Sequence, residues 1–289
     1  LKNLFQIASR IKLDDDVIIH AQRPDWLVPF STKKNKKIVT LHGSHLKNVY
    51  LKKGFLIGKI YSKLEKKGLE VADKIISVSE ENTTFYYGMY KKYPEIYKKF
   101  VIIPIGINLD GLKSINKNES RKKYGFKKSD KIVIYVGRLE KEKNLKFLIK
   151  LCHDIKVKLL IVGDGREKAI LKEFARILGS NTIFYGETDN KNVYEILGCA
   201  DVFALTSLYE GLPTVLLEAL AVGLPIISTN VGDVNKLVVN GKTGFIVNGT
   251  NIHSRLKLIL KNPSKYRMNC INKSKEFLWD KIGGKIIDQ

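Results

Sequence analysis

The run "KIVIYVGR", Lys131 to Arg138, holds five consecutive apolar or aromatic residues without polar alternation and stops at a glycine. A strand written this way is dry on both faces, so it belongs in a sheet covered on both sides, which in practice means parallel strands linked by helices. The signature recurs along the chain. "DVIIHAQ", "KIVTLHGS", "KIISVSE" and "FVIIPIG" read as four strands in the first part, and "VKLLIVGDG", "NTIFYGE", "DVFALTS", "LPIISTN" and "TGFIVN" join "KIVIYVGR" as six in the second. Helix-length connections separate them. The expectation is α/β architecture, built twice.

Between the two sets lies "NLDGLKSINKNESRKKYGFKKSD", Asn108 to Asp130, rich in charge and turn formers and lacking a strand. It predicts a boundary near residue 108, with a helix from about Glu119 opening a second domain over 109–262 and a helical segment over 263–289 that returns toward the first. At 289 residues with 44% apolar content, the chain is long enough for two cores. No run reaches about 18 uncharged apolar residues, and the opening "LKNLFQIASRIKLDDD" has no long apolar core before a small-residue cleavage site. Cys152, Cys199 and Cys270 are odd in number and widely spaced, without C-x-x-C pairing, so neither a disulfide framework nor a zinc knuckle is expected. These features predict a cytoplasmic protein in a reducing compartment.

The net charge of +22 invites a nucleic-acid or membrane reading. The excess is spread over both parts rather than gathered in a basic arm, and no aromatic base-stacking signature accompanies it, so nucleic acid is not expected as a partner. One segment is denser: "KNVYLKKGFLIGKIYSKLEKK", Lys47 to Lys67, interleaves lysines with Phe55, Leu56, Ile57 and Ile60 around a single Glu65. It reads either as a surface helix with snorkelling lysines or as a contact with an anionic membrane face, and Gly54 and Gly58 weaken any long regular helix.

The chemistry concentrates in "SLYEGLPTVLLEALAVGLP", Ser207 to Pro225. "DVFALTS" ends a buried-type strand, and "PTVLLEALAV" reads as a short helix with proline at its first position and Gly223 and Pro225 past its end. Glu210 falls in the strand-to-helix turn, where open α/β sheets bind ligands. Glu218 is flanked by Leu216, Leu217, Ala219 and Leu220; a carboxylate there needs donors, which a pair of polyol hydroxyls would supply. The amides of Gly211, Leu212 and Thr214 lie at a helix N-terminus that suits an anion, while Pro213 has no amide and only shapes the turn. In "IYVGRLEKEKNL", Arg138 follows the strand-ending Gly137 and Lys143 lies five residues on, a plausible clamp for a diphosphate.

Together these elements resemble the retaining glycosyltransferases of family 4, with the GT-B fold of two Rossmann-like domains whose parallel sheets face a cleft. The resemblance runs in family order through "VTLHGS", "IISVSE", "IIPIGIN", "YVGRLEKEKNL", "LLIVGDG", "FYGETD", the E-x7-E element with E-G-L-P inside it, and "GKTGFIVN". It implies that Glu210 meets the donor sugar near its anomeric carbon, that Glu218 binds the nucleotide ribose, and that Arg138 and Lys143 hold the pyrophosphate. Gly137, Gly186, Gly211, Leu212, Pro213 and Thr214 would complete the donor site, and His42 of "LHG" would stand near the transferred sugar. The implied substrate is a nucleotide-diphosphate sugar, the acceptor a saccharide or lipid-linked sugar, and no cofactor or metal is expected. The chain departs from the family in reaching "DVIIHAQRPD" by residue 25, without the usual leading strand and glycine-rich loop, so a fragment or a reduced first domain is expected. Ile105 and Asn235 replace the family's usual asparagine and glutamate. A phosphorylase-like enzyme of this fold and a non-catalytic sugar-nucleotide-binding remnant stay open as alternatives. His42 and His45 form H-x-x-H, but no third ligand accompanies them, so zinc is not expected.

Overall fold

In a computed structural model the described residues are 2–43, 45–108, 115–210 and 213–287, with some side chains within 2–9, 47–52, 190–191 and 285–287 outside that set. The chain divides into two compact units, Leu1–Ile105 with Ile282–Gln289, and Gly106–Lys281.

The first unit carries α1 (Lys2–Arg10), β1 (Ile19–Ala21), β2 (Lys37–Leu41), α2 (His45–Val71), β3 (Lys74–Ser77), α3 (Glu80–Tyr90), α4 (Pro94–Tyr97) and β4 (Phe100–Ile102). Its four strands pair in parallel in the order β1-β2-β3-β4. Because side chains alternate across a strand, Val39 and Ile75 fill one core with Leu69, Tyr86 and Tyr90, while Ile38 and Ile76 fill the other with Ile103 and Ile282. Covering on both faces is what the unalternated runs require.

The second unit carries α5 (Lys117–Lys123), β5 (Ile132–Val136), α6 (Leu145–Asp154), β6 (Lys158–Val162), α7 (Lys168–Leu178), β7 (Thr182–Gly186), α8 (Asn190–Gly198), β8 (Val202–Leu205), α9 (Thr214–Ala221), β9 (Ile226–Thr229), β10 (Gly244–Val247), α10 (Ile252–Lys261), α11 (Arg267–Ser274) and the start of α12 (Trp279–Ile287). Its parallel sheet has the order β10-β9-β8-β5-β6-β7. Each expected strand is present. The opening helix starts at Lys117 rather than Glu119, because the Asn116 side chain accepts from the amides of Asn118 and Glu119 and caps it there. At the amino ends of β5 and β8, Asp201 accepts the Ile132 amide at 2.8 Å, Arg121 at 3.0 Å and Lys117 at 2.7 Å. Arg121 is itself buried, and Asp201 compensates its charge where it lies.

The aromatic cluster Phe85 to Tyr90 serves packing: Tyr86 and Tyr90 are buried in the first core, and their hydroxyls donate to the wholly buried Glu65 at 3.0 and 3.1 Å. Among the described residues no helix is long and apolar enough to cross a membrane.

Candidate active site

From β5 the chain builds outward through β6 and β7, then returns to β5's other side with β8. The reversal between β5 and β8 is the topological switch point, where loops diverge and leave a crevice. A cavity of about 680 Å³ opens there, lined by Gly137, Arg138, Lys143, Glu210, Pro213, Thr214 and Glu218 together with Asp164 and Glu187. That size suits a small organic ligand.

The loop after β5 is rigid for reasons of backbone geometry. Gly137 donates its amide to Val162 O at 3.0 Å, Leu139 to Asp164 O at 2.8 Å, and Gly163 to Gly186 O at 2.7 Å, so the turns after β5, β6 and β7 are knitted together. Gly163 has φ of 128°, and a Cβ there would lie 2.0 Å from Gly137 O; only glycine permits the approach. Gly186 therefore supports the floor, and its neighbour Glu187 lines the cavity. The buried Tyr135 donates its hydroxyl to Arg138 O at 3.0 Å, fixing the base of that side chain. Burial, with the Glu210 charge adding to it, pushes the Tyr135 phenol well above its ordinary range, so it stays a donor. The Arg138 side chain is exposed and takes no hydrogen bond or ion pair among the described residues.

Lys143 closes a one-turn 3₁₀ segment, Lys141–Lys143, that ends in Asn144 with φ of 53°. Thr206 donates to Lys143 O at 3.2 Å and Leu208 to Glu142 O at 2.8 Å, which hold this segment over the turn after β8. The result joins two residues 67 positions apart: Lys143 Nζ donates to both Glu210 oxygens, at 2.7 and 2.8 Å. Ser207 Oγ donates to Glu210 Oε1 at 2.6 Å. The expected phosphate clamp thus differs in one respect, since Lys143 is bonded to Glu210 whereas Arg138 stands alone.

α9 begins at Thr214, with Pro213 just outside it at φ −72° and ψ 105°, one residue later than the sequence predicts, because an extended ψ ends the preceding turn. Gly211 and Leu212 lie outside the described residues. Glu218 lies one turn into α9; its half-buried carboxylate accepts no hydrogen bond among the described residues, and burial raises its pKa. A partly desolvated carboxylate that lines a cavity and has no protein donor among the described residues suits a hydroxylic ligand.

His42 belongs to the first unit, at the carboxyl end of β2, where its Nε2 meets Gln22 Oε1. Partial burial first, and the charge of His20 second, hold its pKa below the ordinary imidazole range. His45 packs edge-on against Tyr61, with ring centroids 5.1 Å apart. Among the described residues no three His, Cys, Asp or Glu side chains gather as a metal site.

Sequence reasoning missed Tyr135, Ser207, Thr206, Asp164 and Gln22. Ser207 carried a faint signal, a hydroxyl closing an otherwise apolar strand three residues before Glu210. The others carried none: Thr206 and Gln22 act through partners distant in sequence, and Tyr135 and Asp164 through loop turns that residue type alone does not reveal.

Over 98% of this chain and 75% of the relative, the sequence is 26% identical to N-acetyl-alpha-D-glucosaminyl L-malate synthase of Bacillus anthracis. It is 33% identical to the putative teichuronic acid biosynthesis glycosyltransferase TuaC of Bacillus subtilis over 69% of this chain, which spans 48% of that relative. The chain thus covers from about half to three quarters of the length of these curated relatives. Anabaena HepE, solved in complex with UDP-glucose, superposes with a TM-score of 0.79 at 19% identity, over 99% of this chain and 80% of HepE, and shares the fold. Residues 116–277, more than half of the chain and every strand of the second unit, match the family described as Glycosyl transferases group 1. The chain carrying Arg138, Lys143, Glu210 and Glu218 around its β5–β8 crevice belongs to that family.

Proposed function

We propose that this chain moves a sugar from a nucleotide-diphosphate sugar to a saccharide or lipid-linked acceptor, with retention of anomeric configuration and without a metal ion, in synthesis of a cell-surface polysaccharide or glycolipid. The observation that carries the reading is the crevice itself, where a lone Arg138 and a donor-starved Glu218 line one cavity with the Lys143–Glu210 pair. Glu218 accepts the ribose hydroxyls. Arg138, with the amino end of α9, faces the diphosphate and neutralises the charge that grows on it as the sugar–phosphate bond breaks. Lys143 adds a second cation while keeping Glu210 fixed.

Glu210 takes three hydrogen bonds among the described residues, so its negative charge is already shared. A carboxylate so compensated is a poor nucleophile and a good positioning group for sugar hydroxyls. Retention then follows from attack on the face the leaving diphosphate departs from, with a phosphate oxygen taking the acceptor's proton. His42 stands at the carboxyl end of β2 in the first unit, where its lowered pKa keeps the imidazole neutral and able to hydrogen-bond. The protein works in the cytoplasm, touching the anionic face of a membrane from outside the bilayer.

The test is Arg138→Ala. Removing one preorganised charge from a transition state should cut transfer by about 10² or more, with the fold intact because the side chain is exposed. Near-normal transfer by the purified variant would refute the reading. Thermal shift against UDP, GDP and ADP then identifies the base, since a ligand bound only by the native state raises stability according to its concentration over Kd.

A further inference from the structure

α2 spans His45–Val71, but Gly54 interrupts it with φ of 82° and ψ of 176°. The bend is locked by Tyr50, whose ring lies over Gly58 so closely that a Cβ there would sit 2.3 Å from Cδ1. Beyond the bend one side of the helix is held in the core through Tyr61, Glu65 and Leu69. The other side is bare. Phe55 is 72% exposed, Leu56 78%, Ile57 51% and Ile60 61%, four large apolar groups within six residues. Contiguous exposed apolar surface of this kind marks an interaction site.

Lys59, Lys63 and Lys67 continue the same face at i, i+4 and i+8, all exposed. Like charges at that spacing disfavour the helix, and among the described residues no acid on α2 pairs with them: Glu65 is buried, and Glu70 pairs with Lys66. An apolar end followed by an uncompensated cationic stripe matches the boundary between acyl chains and anionic headgroups. A second copy is the poorer occupant, because two such stripes would meet on chains that each carry +22.

We propose that this face of α2 docks the protein on a bilayer containing anionic phospholipid. Phe55, Leu56, Ile57 and Ile60 enter the headgroup–acyl boundary, and Lys59, Lys63 and Lys67 meet lipid phosphates. The inference deepens the membrane part of the proposed function and rests on it, but not on the transfer reaction.

The full chain is sedimented with phosphatidylcholine vesicles, with and without phosphatidylglycerol, at low and high salt. Binding is expected with the anionic vesicles, weakened by salt. Substituting serine at Phe55, Leu56 and Ile57 together should lower partitioning about a hundredfold, as loss of several partly buried apolar groups requires. Glutamine at Lys59, Lys63 and Lys67 should lower it about tenfold or more and flatten the salt dependence, while glutamine at Lys172, Lys257 and Lys261 should change nothing. Failure of the native chain to bind, equal losses from the two lysine sets, or an apolar-dependent dimer in place of vesicle binding would overturn the docking. The transfer reading is tested apart: a nucleotide thermal shift that persists while vesicle binding fails sinks docking alone, and vesicle binding without any nucleotide response sinks transfer alone.

Discussion

Glu218→Gln should have two effects of opposite sign. In the free protein the Glu218 carboxylate is half-buried, accepts no hydrogen bond among the described residues, and has a pKa raised by burial. A raised acid is stabilising in its neutral form only: that contribution is fully present below the ordinary carboxyl pKa of 4.5 and is lost as pH rises through the folded value. At neutral pH the native protein therefore bears the whole desolvation cost, on the order of 1 kcal/mol for a partly solvated group. The amide, being uncharged, bears less of it. For a unit of this size that corresponds to a melting point about 2–4 °C higher in the variant, a gain that should vanish as pH falls to about 4. With donor present the sign reverses, because glutamine replaces charge-assisted bonds to the ribose with neutral ones, worth about 1–2 kcal/mol less, or about tenfold in affinity. Differential scanning fluorimetry at pH 4 to 8, with and without nucleotide, measures both. A variant less stable than the native chain at pH 7 without ligand, or one with unchanged nucleotide affinity, would refute the assignment of Glu218 as a waiting acceptor of hydroxyl donors.

Tyr135→Phe removes the bond to Arg138 O and should lower kcat about fivefold with KM little changed, matching roughly 1 kcal/mol for a neutral hydrogen bond; an unaltered kcat would show that the loop is held without it. Glu65 has its pKa pushed up to about 7, chiefly by burial. Its neutral form stabilises the first unit fully below pH 4.5, and this is lost as pH rises through about 7, a fall on the order of 3 kcal/mol. Glu65→Gln should flatten that slope in denaturant unfolding, and parallel pH curves for the two proteins would count against it. Transfer should survive EDTA undiminished, since the neutralising charges proposed are side chains; strict dependence on added Mg²⁺ or Mn²⁺ would overturn that part of the mechanism.

The strands were legible because burial on both faces erases polar alternation, and that is a local property of sequence. The site was legible only as a set of parts. Glu210 and Glu218 stood out as acids in apolar surroundings, and Arg138 and Lys143 as cations at a strand's end. Nothing in the sequence says that Lys143 reaches Glu210 across 67 positions, because that pairing depends on the β5–β8 adjacency. Tyr135 read as one more apolar strand residue, since its hydroxyl acquires meaning only when the loop returns to it. Glu65 looked like the lone counter-charge of a lysine-rich surface, yet it is buried against Tyr86 and Tyr90, because helical spacing puts it on the face opposite Lys63 and Lys67.

What remains unsatisfied in the crevice is as informative as what is paired. Lys143, Glu210 and Ser207 complete one another, so their geometry is set before any ligand arrives and costs nothing to assemble during reaction. Arg138 and Glu218 have opposite charges, line the same cavity and do not satisfy each other. Folding alone would favour joining them or removing both. A ligand with a diphosphate beside a ribose diol would satisfy both where they stand, and a nucleotide-diphosphate sugar is such a ligand. The sugar it carries would then lie toward the preassembled Glu210, and on the proposed reading the unpaired groups would bind while the paired ones position.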